Sequence, residues 1–167
     1  DGSSSPSPLG LGPMPVATQF DLSWTVSNQG QGSWSPVASL VSQGDGWTTS
    51  CTPVSPVQPS ASSIAWCSVI IPESQAGNAE VPLTLRLESE GLLAIDTVSI
   101  LVQETSKVSW TMQGNAPILK SGESTLISLQ VENQGNTQIN TKIMVDTPTS
   151  GWAHQVSGSE ILSLSPG

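Results

Sequence analysis

Tyrosine is absent from this chain, histidine occurs once, and Lys and Arg together number 4 against 13 Asp and Glu, for a formal net charge of −9. So few cations form no basic cluster able to neutralise a row of phosphates, which argues against nucleic acid and against an anionic membrane surface as partners. Charged residues of both signs make up only 10% of the 167 residues. Ser, Thr, Gln and Gly fill the polar positions instead, so hydroxyls and amides face the solvent. Long apolar runs are also lacking: Val69-Ile70-Ile71 and Leu92-Leu93-Ala94-Ile95 fall far short of the ~20 residues of a membrane-spanning helix. No segment carries a helical apolar period. Little lysine and a sequence pI near 4.1 fit a secreted prokaryotic surface protein, so the expected localisation is extracellular, at the cell surface. Asp1 opens a Ser/Pro segment instead of a basic and then apolar one, so no signal peptide is read, and the chain is expected to be mature or a fragment.

What the chain does contain is alternation. Phe20, Leu22, Trp24 and Val26 fall on one face and Asp21, Ser23, Thr25 and Ser27 on the other, the period of a half-buried strand. Asn28-Gln29-Gly30 stops it with turn residues. The pattern is written twice, because Ile127, Leu129 and Val131 alternate with Ser128, Gln130 and Glu132 before Asn133-Gln134-Gly135. Asn28 and Asn133 lie 105 positions apart, as do the tryptophans of Gly46-Trp47 and Gly151-Trp152, and Ala38 and Leu40 fall on Ile143 and Val145 at the same offset. A repeat of this length means a whole domain per unit.

Residues 1–15, DGSSSPSPLGLGPMP, with four prolines and almost no apolar period, read as a polyproline-prone linker. Residues 16–104 make the first unit and 105–167 the second. Strands are expected near 18–27, 36–43, 46–51, 63–71, 81–89 and 93–103, then near 107–113, 124–132, 138–146, 151–156 and 160–164. Short alternating strands at this spacing, parted by turn signals such as Gln75-Ala76-Gly77-Asn78, point to a β-sandwich. Its first core is expected to hold Phe20, Leu22, Trp24, Val26, Leu83, Leu85 and Leu87. The last three begin a hairpin that turns at Glu88-Ser89-Glu90-Gly91 and returns through Val98, Ile100 and Val102; Leu101 breaks the parity, so a bulge is the alternative to a regular return strand.

At the 105 offset Gly167 falls on position 62, so the second unit is expected to lack about three strands within this chain, leaving the inward faces of Ile127, Leu129, Val131, Ile143 and Val145 open. Continuation of the polypeptide or strands donated by a neighbouring subunit would close them. Continuation is favoured, since the prolines of residues 1–15 could not pair within a central strand, although Leu9 and Leu11 alternate as a short edge insertion would.

Val26-Ser27-Asn28-Gln29-Gly30 and Val131-Glu132-Asn133-Gln134-Gly135 are two copies of a V-x-N-x-G turn, each followed by a Gly-Trp pair. Leu164-Ser165-Pro166-Gly167 is an L-x-P-G turn, whose place in the first unit is held by Ala61-Ser62-Ser63. Over residues 16–167 these landmarks resemble the Ig-like repeat modules, of the CARDB/NEW3-like type, of large archaeal and bacterial cell-surface proteins. The resemblance implies an all-β chain of tandem immunoglobulin-like β-sandwiches, the second incomplete, serving as a spacer, assembly or adhesion module.

Cys51 and Cys67 are the two cysteines of the chain. An even count in a secreted protein reads as a structural disulfide; two buried free thiols are the alternative, and metal binding lacks a nearby His or further Cys. The bridge would staple the Pro-rich stretch from Pro53 to Pro59, worth on the order of 3 kcal/mol in the chain-entropy account. Val156 stands where Cys51 falls in the second unit, so the staple does not belong to the repeat. His154 has no orienting partner or nucleophile at recognisable spacing and reads as a strand-surface residue. Asp45 sits alone in a Gly-flanked turn, no D-x-D-x-D run offers a calcium loop, and Arg86, Glu88 and Glu90 read as a solvated sheet face.

Six tryptophans raise the question of a sugar-stacking platform. Trp24 shares its parity with Phe20 and Leu22, and Trp47 and Trp152 recur at the repeat offset, which points to core. Trp34, in Gln31-Gly32-Ser33-Trp34-Ser35 beside a turn, is the candidate for exposure and ligand contact. No catalytic, cofactor-binding or metal-binding residue is read, and no cofactor is expected. The expected function is a non-enzymatic structural module of a cell-surface layer, stalk or filament, with like modules or neighbouring subunits as partners. The alternative is an adhesion module that binds a glycan or a surface protein through exposed Trp and turn residues.

Overall fold

The structure, a computed structural model, describes the backbone of residues 2–7 and residues 12–42, 44–146, 151, 153–159 and 161–167. Among these every regular element is a β-strand: β1 (Gly2–Ser7), β2 (Gln19–Asn28), β3 (Val37–Ser42), β4 (Thr48–Cys51), β5 (Ser62–Ile70), β6 (Glu80–Ser89), β7 (Leu92–Leu101), β8 (Val108–Gln113), β9 (Ser128–Asn133), β10 (Ile139–Lys142) and β11 (Ile161–Leu164). The chain divides into two compact units, Asp1–Glu104 and Thr105–Gly167.

The first unit holds a four-stranded antiparallel sheet ordered β1-β2-β5-β4 and a three-stranded one ordered β3-β6-β7. Period-two burial builds both. Leu22, Trp24 and Val26 of β2 are buried, as are Ala65, Cys67 and Val69 of β5, and the register sets Trp24 opposite Ala65 and Leu22 opposite Cys67. A large ring beside a methyl lets the sheet stay close-packed. Leu40, Val81, Leu83, Leu85, Leu87 and Ile100 of the other sheet belong to the same apolar cluster, against which Phe20 packs half-buried. This is the layering of a β-sandwich.

The stretch read as a linker contains β1, which pairs antiparallel with β2 from Gly2↔Asn28 to Ser7↔Ser23. Pro6 is tolerated because β1 ends its sheet, where one missing N–H costs little. Farther on, Met14 donates to the Leu101 carbonyl and accepts from the Gln103 N–H, both at 2.8 Å, a parallel bridge beside the end of β7. Leu9 and Leu11 lie outside the described residues. The β6–β7 hairpin runs in unbroken register from Glu80↔Leu101 to Ser89↔Leu92, so it has no bulge. Glu90 (φ 47°) and Gly91 (φ 82°) close it, the two-residue loop with two left-handed residues that matches strand twist.

In the second unit β8 pairs with β9 and β10 with β11. The strand expected over 151–156 is not found in its described residues, and Trp152 lies outside them. In the first unit the strand β4 is held by β5. The apolar residues Val108, Trp110, Ile127, Leu129, Val145 and Ile161 are exposed, while among the described residues the buried polar side chains of this unit are those of Asn133 and Asn136.

Candidate functional site

The residues that the two units share converge on their turns. Asn28 continues the inward face of β2 and is buried. Its Oδ1 accepts from the Gly30 N–H at 2.9 Å, and its Nδ2 donates to the Gly32 carbonyl at 2.7 Å and the Val57 carbonyl at 2.8 Å. Val57 also exchanges two backbone hydrogen bonds with Trp34, so the amide bolts the β2–β3 loop to the segment before β5. Asn133 does the same: Oδ1 accepts from the Gly135 N–H at 2.9 Å, and Nδ2 donates to the Thr137 carbonyl at 2.7 Å and the Leu164 carbonyl at 3.2 Å. Gly135 is required by close approach, since a Cβ there would meet the backbone carbonyl of Thr105. Sequence reading found both Asn residues as turn signals and missed them as buried bolts. The signal was their parity, a polar residue ending an inward-facing apolar row.

Cys51 and Cys67 form a disulfide between register partners of β4 and β5, with Cys67 buried in the core. Trp47 is half-buried against that core, and its Nε1 donates to Gln75 Oε1 at 2.8 Å.

Trp34, expected at the surface, is 8% exposed. Its backbone pairing with Val57 draws the ring inward, and its Nε1 is buried without a hydrogen-bond partner. Among the described residues the exposed tryptophans are Trp66 and Trp110. Trp66 stands with Ile64 and Ile70 on the outer face of β5, because the opposite parity is taken by Ala65, Cys67 and Val69.

The hollows of the first unit include two lined by described residues. One, of about 720 Å³, runs between the β2–β3 loop and the β6–β7 hairpin and is lined by Gln31, Ser33, Trp34, Glu90, Leu93 and Ile95 among others. The other, of about 560 Å³, is lined by Asp45, Gln75 and Glu80 among others. Groups of three or more His, Cys, Asp or Glu side chains able to hold a metal ion are not found among the described residues. His154 is exposed and lies outside any strand. Arg86 and Glu88 pair at 2.5 Å on the solvated face of β6.

No protein-family model matches the chain, and no curated protein matches it either. Among the described residues no helix is long and apolar enough to cross a membrane.

Proposed function

We propose that this chain is a non-enzymatic extracellular structural protein made of tandem Ig-like modules, of the CARDB/NEW3-like type, that acts as a spacer or assembly element in a cell-surface layer, stalk or filament. The observation that carries this reading is the shared asparagine bolt. Val26 and Val131, Asn28 and Asn133, and Gly30 and Gly135 recur at one offset, and the Asn and Gly of each set are used up in holding a turn to a neighbouring segment. What recurs is therefore a fold, with its shared chemistry directed inward, and that suits a spacer.

The Ig-like reading draws support from topology. Strand order β1-β2-β5-β4 beside β3-β6-β7 is the order of a seven-stranded constant-type sandwich. β8 meets Asn133 through Val108 as β1 meets Asn28 through Gly2. The disulfide and the hydroxyl-rich, weakly charged composition support an oxidising, extracellular setting. Adhesion through Trp34 draws no support from a buried ring. Like modules or neighbouring subunits are the partners this reading names.

The test is a domain exchange in cells that carry the protein. Replacing residues 1–104, the whole first unit, by an unrelated sandwich of equal length should leave the surface assembly intact in electron cryotomography, with the protein stained by antibody on unpermeabilised cells. An intact assembly that no longer attaches to a glycan or a neighbouring cell would turn the assignment to adhesion.

A further inference from the structure

β2 and β5 lie in the middle of the sheet β1-β2-β5-β4, so one parity of each strand is buried in the core and the other forms an outer face. On β5 that face carries an apolar row. Ile64, Trp66 and Ile70 are 50%, 49% and 38% exposed, and from the first to the last the row runs about 20 Å. The neighbouring strand is different in kind: opposite Ile64, Trp66, Ser68 and Ile70 the register sets Thr25, Ser23, Asp21 and Gln19 of β2. The other flank is polar too. Thr48 and Ser50 of β4 stand opposite Ile70 and Ser68, and Thr52 donates to the Trp66 carbonyl from its N–H at 2.9 Å and its hydroxyl at 3.4 Å. Asp21 is held toward the row, since its Oδ1 accepts from the Ser68 hydroxyl at 2.7 Å and from Gln19 Nε2 at 3.5 Å. Both bonds use Oδ1, which leaves Oδ2 to accept from a ligand. Single exposed apolar residues are ordinary, but a contiguous row rimmed by polar groups is the form of a binding surface.

We propose that this outer face of the first unit binds a neutral, unbranched polysaccharide of β-1,4-linked pyranoses, laid along β5 with one sugar ring on Trp66. Such a chain has the matching cross-section. Its ring C–H groups form flat apolar faces, and its equatorial hydroxyls point sideways, here to Asp21 and Ser23 on one rim and to Ser50 and Thr52 on the other. Trp66 supplies a large, stiff apolar surface for the contact. Charge selects against the competing occupant, a second copy of this chain. Asp21 alone is ionised among the outward residues of β2, β4 and β5, and a chain of net charge −9 repels its own copies, whereas a neutral glycan meets no such barrier. The site adds a ligand to the spacer reading and does not rest on it.

The test follows the tryptophan indole N–H signals of the ¹⁵N-labelled full chain during titration with cellohexaose and with chitohexaose. At least one of the two should shift the Trp66 indole saturably, the signal being identified by its loss in Trp66→Phe, with amide shifts confined to β2, β4 and β5. Trp66→Ala should abolish binding, and Asp21→Ala should weaken it about tenfold. Trp110→Ala, a change in the second unit, should leave it as it was. Ile64→Ser interrupts the same row and should also weaken binding, which keeps the test open should the Trp66→Ala chain fail to fold. Absence of shifts at millimolar sugar, binding undiminished by Trp66→Ala, or self-association that Trp66→Ala removes while neither sugar binds would each overturn the proposal.

Discussion

Asn28 and Asn133 hold the same three side-chain hydrogen bonds: from the N–H two residues on, to the carbonyl four residues on, and to a carbonyl of a later segment, Val57 in one unit and Leu164 in the other. Because both amides are buried, removing one strands its partners away from water. Asn28→Ala should destabilise the first unit by about 2–4 kcal/mol in chemical denaturation. Asn28→Asp should be worse at neutral pH, since it buries a carboxylate against two carbonyl oxygens. Its folded pKa would then rise above the unfolded ~3.9, so the penalty grows as pH climbs from there toward the folded value and is relieved in acid. An Asn28→Asp chain as stable as wild type at pH 7 would contradict the bolt.

Leu85 is fully buried and Trp66 is about half exposed. Leu85→Ala should cost ~2–5 kcal/mol, whereas Trp66→Ala, on the outer face of β5, should change stability by less than ~1 kcal/mol. The order of the two effects, measured by urea denaturation, checks the inward parity of both sheets at once.

The bond between Cys51 and Cys67 predicts that alkylation of the denatured chain adds no label until a reductant is present. Reduction should lower the stability of the first unit by on the order of 3 kcal/mol and leave the second unchanged. Two labels on the unreduced chain would show the bridge to be absent.

Glu90 adopts φ 47° in the β6–β7 turn, a conformation that Asn and Gly accept more readily than Glu. Glu90→Asn should therefore raise the thermal midpoint, by about 0.5–1 kcal/mol in stability, and Glu90→Val should lower it. An unchanged midpoint in both variants would mean that the turn relaxes out of this geometry in solution.

Period-two alternation made β2, β5, β6 and β7 legible before any coordinates, because a strand covered on one face must place Leu22, Trp24 and Val26 on one parity and Asp21, Ser23 and Thr25 on the other. The cysteine count carried the disulfide for a similar reason: oxidation pairs what is there. Other features depended on partners distant in sequence. Trp34 sits beside a turn, yet its exposure is set by Val57, 23 residues away, through a bridge that no local pattern encodes. Gly2–Ser7 has the composition of a linker and becomes a strand because β2 offers it a free edge. The strand expected over 151–156 is not found among its described residues; alternation supplies only a face, and a strand is made by its hydrogen-bonded neighbour. The hollow beside β7 has no sequence signature, since its walls come from the β2–β3 loop and the β6–β7 hairpin, which lie far apart along the chain. The sequence determined which residues face inward, through the local geometry of the extended chain; only the tertiary structure decided which backbone edges are covered, because that depends on which strands become neighbours.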